Sequence, residues 1–220
     1  MEKNNKKNIK KNNNINYIYL GVNFNKTEKN NLKQEIIKNY IYDLIKNYPE
    51  ELSFKDLPFY FEEDSEKELN NNKKENKIWK NPNSIHITTL FIGKKGYIKN
   101  NKILNNFKER EEVEVNILGI IIIPYKIAIC IVKIDIFCDN EFPHITLSIG
   151  DYKPKNSNDV LDILFGKNGK YKDLYFNIIN GNDVDFIIKD CVNIFGHDEN
   201  VYIKLKNYGF SLIGFQKGFY

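Results

Sequence analysis

The sequence predicts an α+β fold with more strand than helix, and three observations carry that expectation. Apolar runs rich in Ile and Val at residues 84–93, 113–123 and 125–136 have the length and composition of buried strands. Residues 32–48 instead repeat their apolar positions at helical spacing. Hydrophobic residues make up 41% of the 220, with 14 Tyr and 15 Phe, which supports one sizeable core and excludes a wholly disordered chain.

Taken in order, residues 1–14 are Lys- and Asn-rich without an apolar stripe, so a disordered tail precedes a single domain over 15–220. Residues 15–24 alternate, with Ile18, Leu20, Val22 and Phe24 on one face of a strand and Tyr17, Tyr19, Gly21 and Asn23 on the other. Leu32, Ile36, Ile37, Tyr40, Ile41, Leu44, Ile45 and Tyr48 define a helix of about five turns that Pro49 closes. Residues 49–83 read as an insertion or mobile loop, with a small apolar knot at 57–61 and a charged, Asn-rich run behind it. A strand over 84–93 ends in a Gly-containing turn at 93–96, and a short helix is expected near 102–108.

The stretch 117–137 is long enough to suggest a membrane span, but Pro124, Lys126 and Lys133 interrupt it, and two strands joined near Pro124 fit better. A strand over 142–150 follows, then a helical turn from Ser157, expected as its N-cap, to Phe165. Strands at 184–195, 201–206 and 210–215 complete the chain, with a polar turn at 196–200.

Charge contributes little, because 33 basic against 29 acidic residues leave +4, too weak to specify a nucleic-acid or membrane partner. Ala128 is the only alanine and Arg110 the only arginine, a bias that makes individual Lys- or Asn-rich stretches poor guides to function. Cys130, Cys138 and Cys191 match neither a disulfide framework nor a zinc site, so free thiols in a reducing compartment are expected. With no apolar leader in the first residues, cytoplasm or nucleus is the expected location.

The histidines are more informative. Of three, two lie in the same tripeptide, His86-Ile87-Thr88 and His144-Ile145-Thr146, in a chain with only four threonines. Residues two apart on a strand share a face, so each imidazole travels with a hydroxyl while Ile87 and Ile145 anchor the strands from behind. Two imidazoles with two hydroxyls suit a phosphodiester: a neutral histidine takes a proton from the nucleophile, a protonated one gives a proton to the leaving oxygen, and the hydroxyls hold the non-bridging oxygens. The scheme requires no metal.

The segments IHITTLFIG (85–93) and FPHITLSIG (142–150) resemble the paired His-x-Thr/Ser motifs of the 2H phosphoesterases. The stretch from Cys138 through PHITL to Lys153-Pro154 and Ser157-Asn158 resembles, within that group, the cyclic phosphodiesterase module of fungal-type tRNA ligases; nothing resembles the ligase or kinase modules that accompany it. The resemblance implies a pseudo-symmetric, two-lobed fold with two antiparallel sheets lining a central groove. It makes His86 and His144 the acid–base pair and Thr88 and Thr146 the phosphate contacts, leaving open which histidine is acid and which base.

The implied activity is hydrolysis of an RNA 2′,3′-cyclic phosphate to a 2′-phosphate, as in RNA repair and tRNA splicing. The alternatives are cleavage of 2′-5′ linkages or oligouridine 3′ tails, and an RNA-end-binding module without turnover. RNA 3′ ends, including tRNA fragments, are the expected partner, with no membrane, no cofactor and a monomeric chain. Tyr17 and Tyr19 are candidates to stack on a base, and Lys153, beside Lys155, to meet an RNA phosphate. His197 sits in the polar turn and stays outside the expected site.

Overall fold

Residues 117–123 read Ile-Leu-Gly-Ile-Ile-Ile-Ile, an unbroken apolar run that suits a strand covered on both faces. In the computed structural model, which describes residues 19–52, 79–80, 82, 84–92, 103 and 106–219, this run lies in the longest strand. The expected tail, Tyr17, most of the 49–83 insertion, the 93–96 turn and residues 102, 104 and 105 of the expected 102–108 helix lie outside the described residues, and 107–108 are not helical.

In chain order the elements are β1 (Tyr19–Asn23), α1 (Lys26–Ile36), a π-helical turn (Ile37–Ile41), α2 (Tyr42–Asn47), β2 (His86–Phe91), β3 (Glu112–Ile123), β4 (Ile127–Ile134) and β5 (His144–Ile149). There follow α3 (Asn156–Phe165), α4 (Lys172–Ile179), β6 (Asp185–Ile194), β7 (His197–Lys206) and β8 (Ser211–Phe219). The fold is α+β, but the expected pair of sheets is replaced by one antiparallel sheet of eight strands, ordered β2-β1-β8-β3-β4-β5, with β7 pairing β3 and β6. The length of β3 explains the difference. Its first half pairs with β8 and its second half with β7, so one strand belongs to both regions and the sheet never separates.

Alternation along β3 and β4 divides the core. Val115, Ile117, Ile120, Ile122, Ala128 and Cys130 join one cluster with Leu32, Ile36, Tyr40, Ile41 and Leu44 of the first helical segment. Leu118, Ile121, Ile123, Ile127, Ile129 and Ile131 join another, with Val160, Leu161, Leu164 and Phe165 of α3 and Tyr175 and Ile178 of α4. Each Ile of this run buried from water contributes about 1.5–3 kcal/mol. Among the described residues no helix is long and apolar enough to cross a membrane.

Several boundaries differ from those expected. The first helix starts at Lys26, where Asn25 Oδ1 accepts the Glu28 N–H at 2.8 Å; its opening turn is polar and invisible to apolar periodicity. A π-helical turn precedes α2, and its Tyr40 and Ile41 are both in the core. Ser157 does not cap α3: Lys155 occupies the cap position and Ser157 lies inside the first turn. The expected 196–200 turn is only Phe195-Gly196, both at positive φ as a two-residue hairpin requires, and polar His197 to Asn200 already belong to β7. A lysine buried to 2% exposure, Lys204, is held by Asp185 at 2.7 Å and Asp43 at 2.9 Å, tying β7 to β6 and α2.

Candidate active site

Each His-x-Thr tripeptide opens an outer strand of the sheet path, β2 or β5. Ile87 and Ile145 are both 0% exposed and pack into the same cluster, so His86, Thr88, His144 and Thr146 all lie on the other face of the sheet. The likeness extends to the backbone. Gly21 pairs with Thr88 and Leu20 with Leu90, skipping Thr89; Ile129 pairs with Thr146 and Ala128 with Ser148, skipping Leu147. A one-residue bulge therefore follows each motif threonine, the kind of irregularity that re-aims side chains beside active sites.

Although β2 and β5 stand at opposite ends of the strand order, the sheet curls until they touch. The segment between β4 and β5 fastens them: Asp139 N–H donates to Thr89 O at 2.7 Å and Asn140 Nδ2 to Thr88 O at 2.9 Å. Lys80 forms a backbone bridge to Ile149 on the far side.

The two imidazoles are held alike. His86 Nδ1 lies 3.0 Å from Ser84 O and His144 Nδ1 2.8 Å from Phe142 O, in each case the carbonyl two residues before the histidine. A carbonyl only accepts, so Nδ1 carries the proton and Nε2 is left to take or give one. Burial pushes the pKa of both rings below 6.5, and the carbonyl bonds oppose the shift. The charge of Lys29 on α1 lowers His86 further, and the charge of His86 lowers His144, so the rings feel one another electrostatically.

Thr146 Oγ1 and the fully buried Ser157 Oγ are 2.8 Å apart, so the second motif's hydroxyl is oriented from α3. Tyr19, an expected base-stacking residue, stacks on His86 with centroids 5.1 Å apart and on Phe219 at 4.4 Å, while Phe219 lies 5.1 Å from His86. Gly21 makes room for this group. A Cβ there would meet Ile87 O at 2.3 Å and the Phe219 ring at 3.4 Å. Sequence reasoning misses Phe219 and Ser157 as site residues: the first lies in a Gly-interrupted terminal run, and the second resembles an ordinary cap.

Lys153 is exposed in the turn before α3, where its backbone N–H donates to Asn156 Oδ1 at 2.9 Å, and Tyr17 lies outside the described residues. His197 is exposed at the β6–β7 turn. Burial pushes the Cys138 thiol up to about 11, which disfavours a thiolate there. Among the described residues no three His, Cys, Asp or Glu side chains are grouped to hold a metal ion.

Fold and site together define an α+β protein that presents two bulged His-x-Thr strands to one another. The sequence matches no protein-family model and no curated protein. Among solved structures it is similar to a fungal RNA kinase, with a TM-score of 0.50, 16% identity, and coverage of 91% of this chain and 44% of that one. The chain therefore spans less than half the length of that protein, and at this identity the similarity concerns the fold.

Proposed function

We propose that the protein is a phosphodiesterase acting on RNA ends, which hydrolyses a 2′,3′-cyclic phosphate to a 2′-phosphate by paired-histidine acid–base catalysis without a metal ion. The observation that carries this reading is the matched Nδ1–carbonyl bond at His86 and His144, which leaves two Nε2 atoms on one face of the sheet. One Nε2 takes a proton from water as its oxygen bonds to phosphorus. The other, protonated beforehand, gives its proton to the 3′ oxygen as the phosphorus–oxygen bond breaks, leaving a 3′ hydroxyl and a 2′-phosphate. Thr88 and Thr146 hydroxyls donate to the non-bridging oxygens, and the 2.8 Å contact between Thr146 Oγ1 and Ser157 Oγ frees the Thr146 proton for phosphate when Ser157 is its donor.

RNA as substrate is supported by the paired motifs and by the name of the similar fungal RNA kinase. The sequence holds no G-x-x-x-x-G-K-S/T loop, so the paired-histidine site rather than nucleotide-dependent phosphoryl transfer sets the reading. Incubation with RNA ending in a 2′,3′-cyclic phosphate, chelator present, should yield a 2′-phosphate end. A 3′-phosphate product would reverse the regiochemistry. Turnover only of 2′-5′ linkages or oligouridine tails would reassign the substrate, and no turnover of any of them would overturn the reading.

A further inference from the structure

On the face that carries both motifs, β1 and β8 present Tyr19, Asn23, Phe215, Lys217 and Phe219, all half-buried or exposed. The two ends of the site are unequal. Beside His144, α3 reaches Thr146 through Ser157, and Phe142 packs against Phe165 and Tyr175, so that side is enclosed. Beside His86, among the described residues, Tyr19, Asn23 and Phe219 are half-buried and Lys217 is exposed.

Gly21 pairs with Thr88 on one side and Lys217 on the other, which puts Lys217 on the same face as the Thr88 hydroxyl. The two residues are two strand spacings apart, about 9–10 Å between Cα atoms. Gly21 places no side chain between them. Lys217 Nζ lies over the Phe219 ring, 5.4 Å from its centroid, and that ring is 5.1 Å from the His86 ring. The ammonium is thus held one ring away from an imidazole of the site. The acidic residues of this face are on β3: Glu112 lies opposite Phe215, in the row of Asn23 and His86 but three strands from the motif, and Glu114 lies opposite Ile213, one step farther along β8.

We propose that Lys217 is a substrate-binding residue, holding a backbone phosphate of the RNA chain upstream of the reacting end as that chain enters across β1 and β8. The proposal rests on the RNA-end reading above and adds a direction of approach: the chain body lies on the His86 side and the terminal nucleotide reaches toward the enclosed His144 side. A phosphate held by a lysine contributes a counter-ion release term, so its loss is read in the salt dependence of binding as well as in affinity.

The test compares wild type, Lys217→Gln, Lys217→Arg and, as a charge-matched control on the helix behind the sheet, Lys46→Gln. Substrates are a short oligoribonucleotide ending in a 2′,3′-cyclic phosphate and a nucleoside 2′,3′-cyclic phosphate, which has no upstream phosphate. Lys217→Gln should raise KM for the oligonucleotide about tenfold, with kcat and mononucleotide KM near wild type; Lys217→Arg should restore it and Lys46→Gln should change nothing. Fluorescence anisotropy with the same oligonucleotide carrying a 3′-phosphate needs no turnover. There the Lys217→Gln slope of log affinity against log salt should be shallower by about 1. Unchanged binding and slope, or equal losses on both substrates, would overturn the role of Lys217. Failure of wild type to turn over either substrate, with binding still sensitive to Lys217, would overturn the phosphodiesterase reading and leave the RNA track standing.

Discussion

At the scale of single residues, His86 and His144 share a tautomer, a bond to the carbonyl two residues before and a lowered pKa, but differ in company. His86 is flanked by Tyr19, Phe219 and the charge of Lys29, whereas His144 is more deeply buried and feels His86. His86→Ala and His144→Ala should each reduce kcat by about 10²–10⁴-fold, since positioned proton-transfer groups are typically worth that much. Unchanged thermal melting would show that the loss is chemical, and near-normal turnover by either variant would end the paired mechanism.

The pH dependence follows from the direction of the shifts. Burial favours the neutral ring at both positions, yet the scheme needs one of them protonated, so the required proton is bound only at lower pH. In the free enzyme kcat/KM should therefore fall on the alkaline side beginning below the ordinary histidine value of 6.5, giving a bell with its maximum on the acid side of that value. A maximum at neutral or alkaline pH, measured across constant-ionic-strength buffers, would mean that neither ring is held as the geometry indicates.

Between residue and molecule, the strands carrying the motifs depend on close backbone contact. Gly21→Ala would drive a methyl group into Ile87 O, which lies between His86 and Thr88, and separate β1 from β2. A stability loss of about 1–3 kcal/mol by urea unfolding is expected, with turnover falling further than the fraction unfolded accounts for. Wild-type stability and activity in the Gly21→Ala variant would show that β1 does not position the first motif.

The same elements show what the sequence made legible. The strands of the Ile-rich runs were readable because burial on both faces requires unbroken apolar residues, and the motif strands because His, Thr and the intervening Ile obey a period of two. α4 was not anticipated: it is eight residues long and has no side-chain cap. The last four residues of β8 carry no strand signature in the sequence because Gln216, Lys217 and Gly218 break the apolar alternation, although pairing with β1 keeps them in the sheet. Pairing partners far apart in sequence leave no local signature, and these brought Phe219 to His86.

For the whole molecule, the resemblance led to an expectation of two sheets facing across a groove, and one curled sheet stands in their place. Local periodicity reports which residues form strands but not that β3 is shared by β7 and β8, a fact decided by its length and by which edges remain unpaired. What does repeat is confined to the site: the tripeptide, the carbonyl bond to Nδ1 and the bulge after the threonine. The buried Lys204 with its two carboxylates was equally hidden, since nothing in a run of alternating apolar residues and lysines distinguishes the one lysine that faces inward.

The curl also provides a natural clock for the opening of the site. Asp139 belongs to a loop, where amide hydrogens normally exchange with solvent quickly, but its N–H is committed to Thr89 O on β2. Deuterium can replace that hydrogen only when the two ends of the sheet part. Asp139 should consequently exchange at a rate closer to the β2 amides than to its exposed neighbour Glu141, and bound substrate spanning both motifs should slow it further. Fast exchange at Asp139, unaffected by ligand, would mean that the sheet's ends part freely and that the histidines are brought together only transiently.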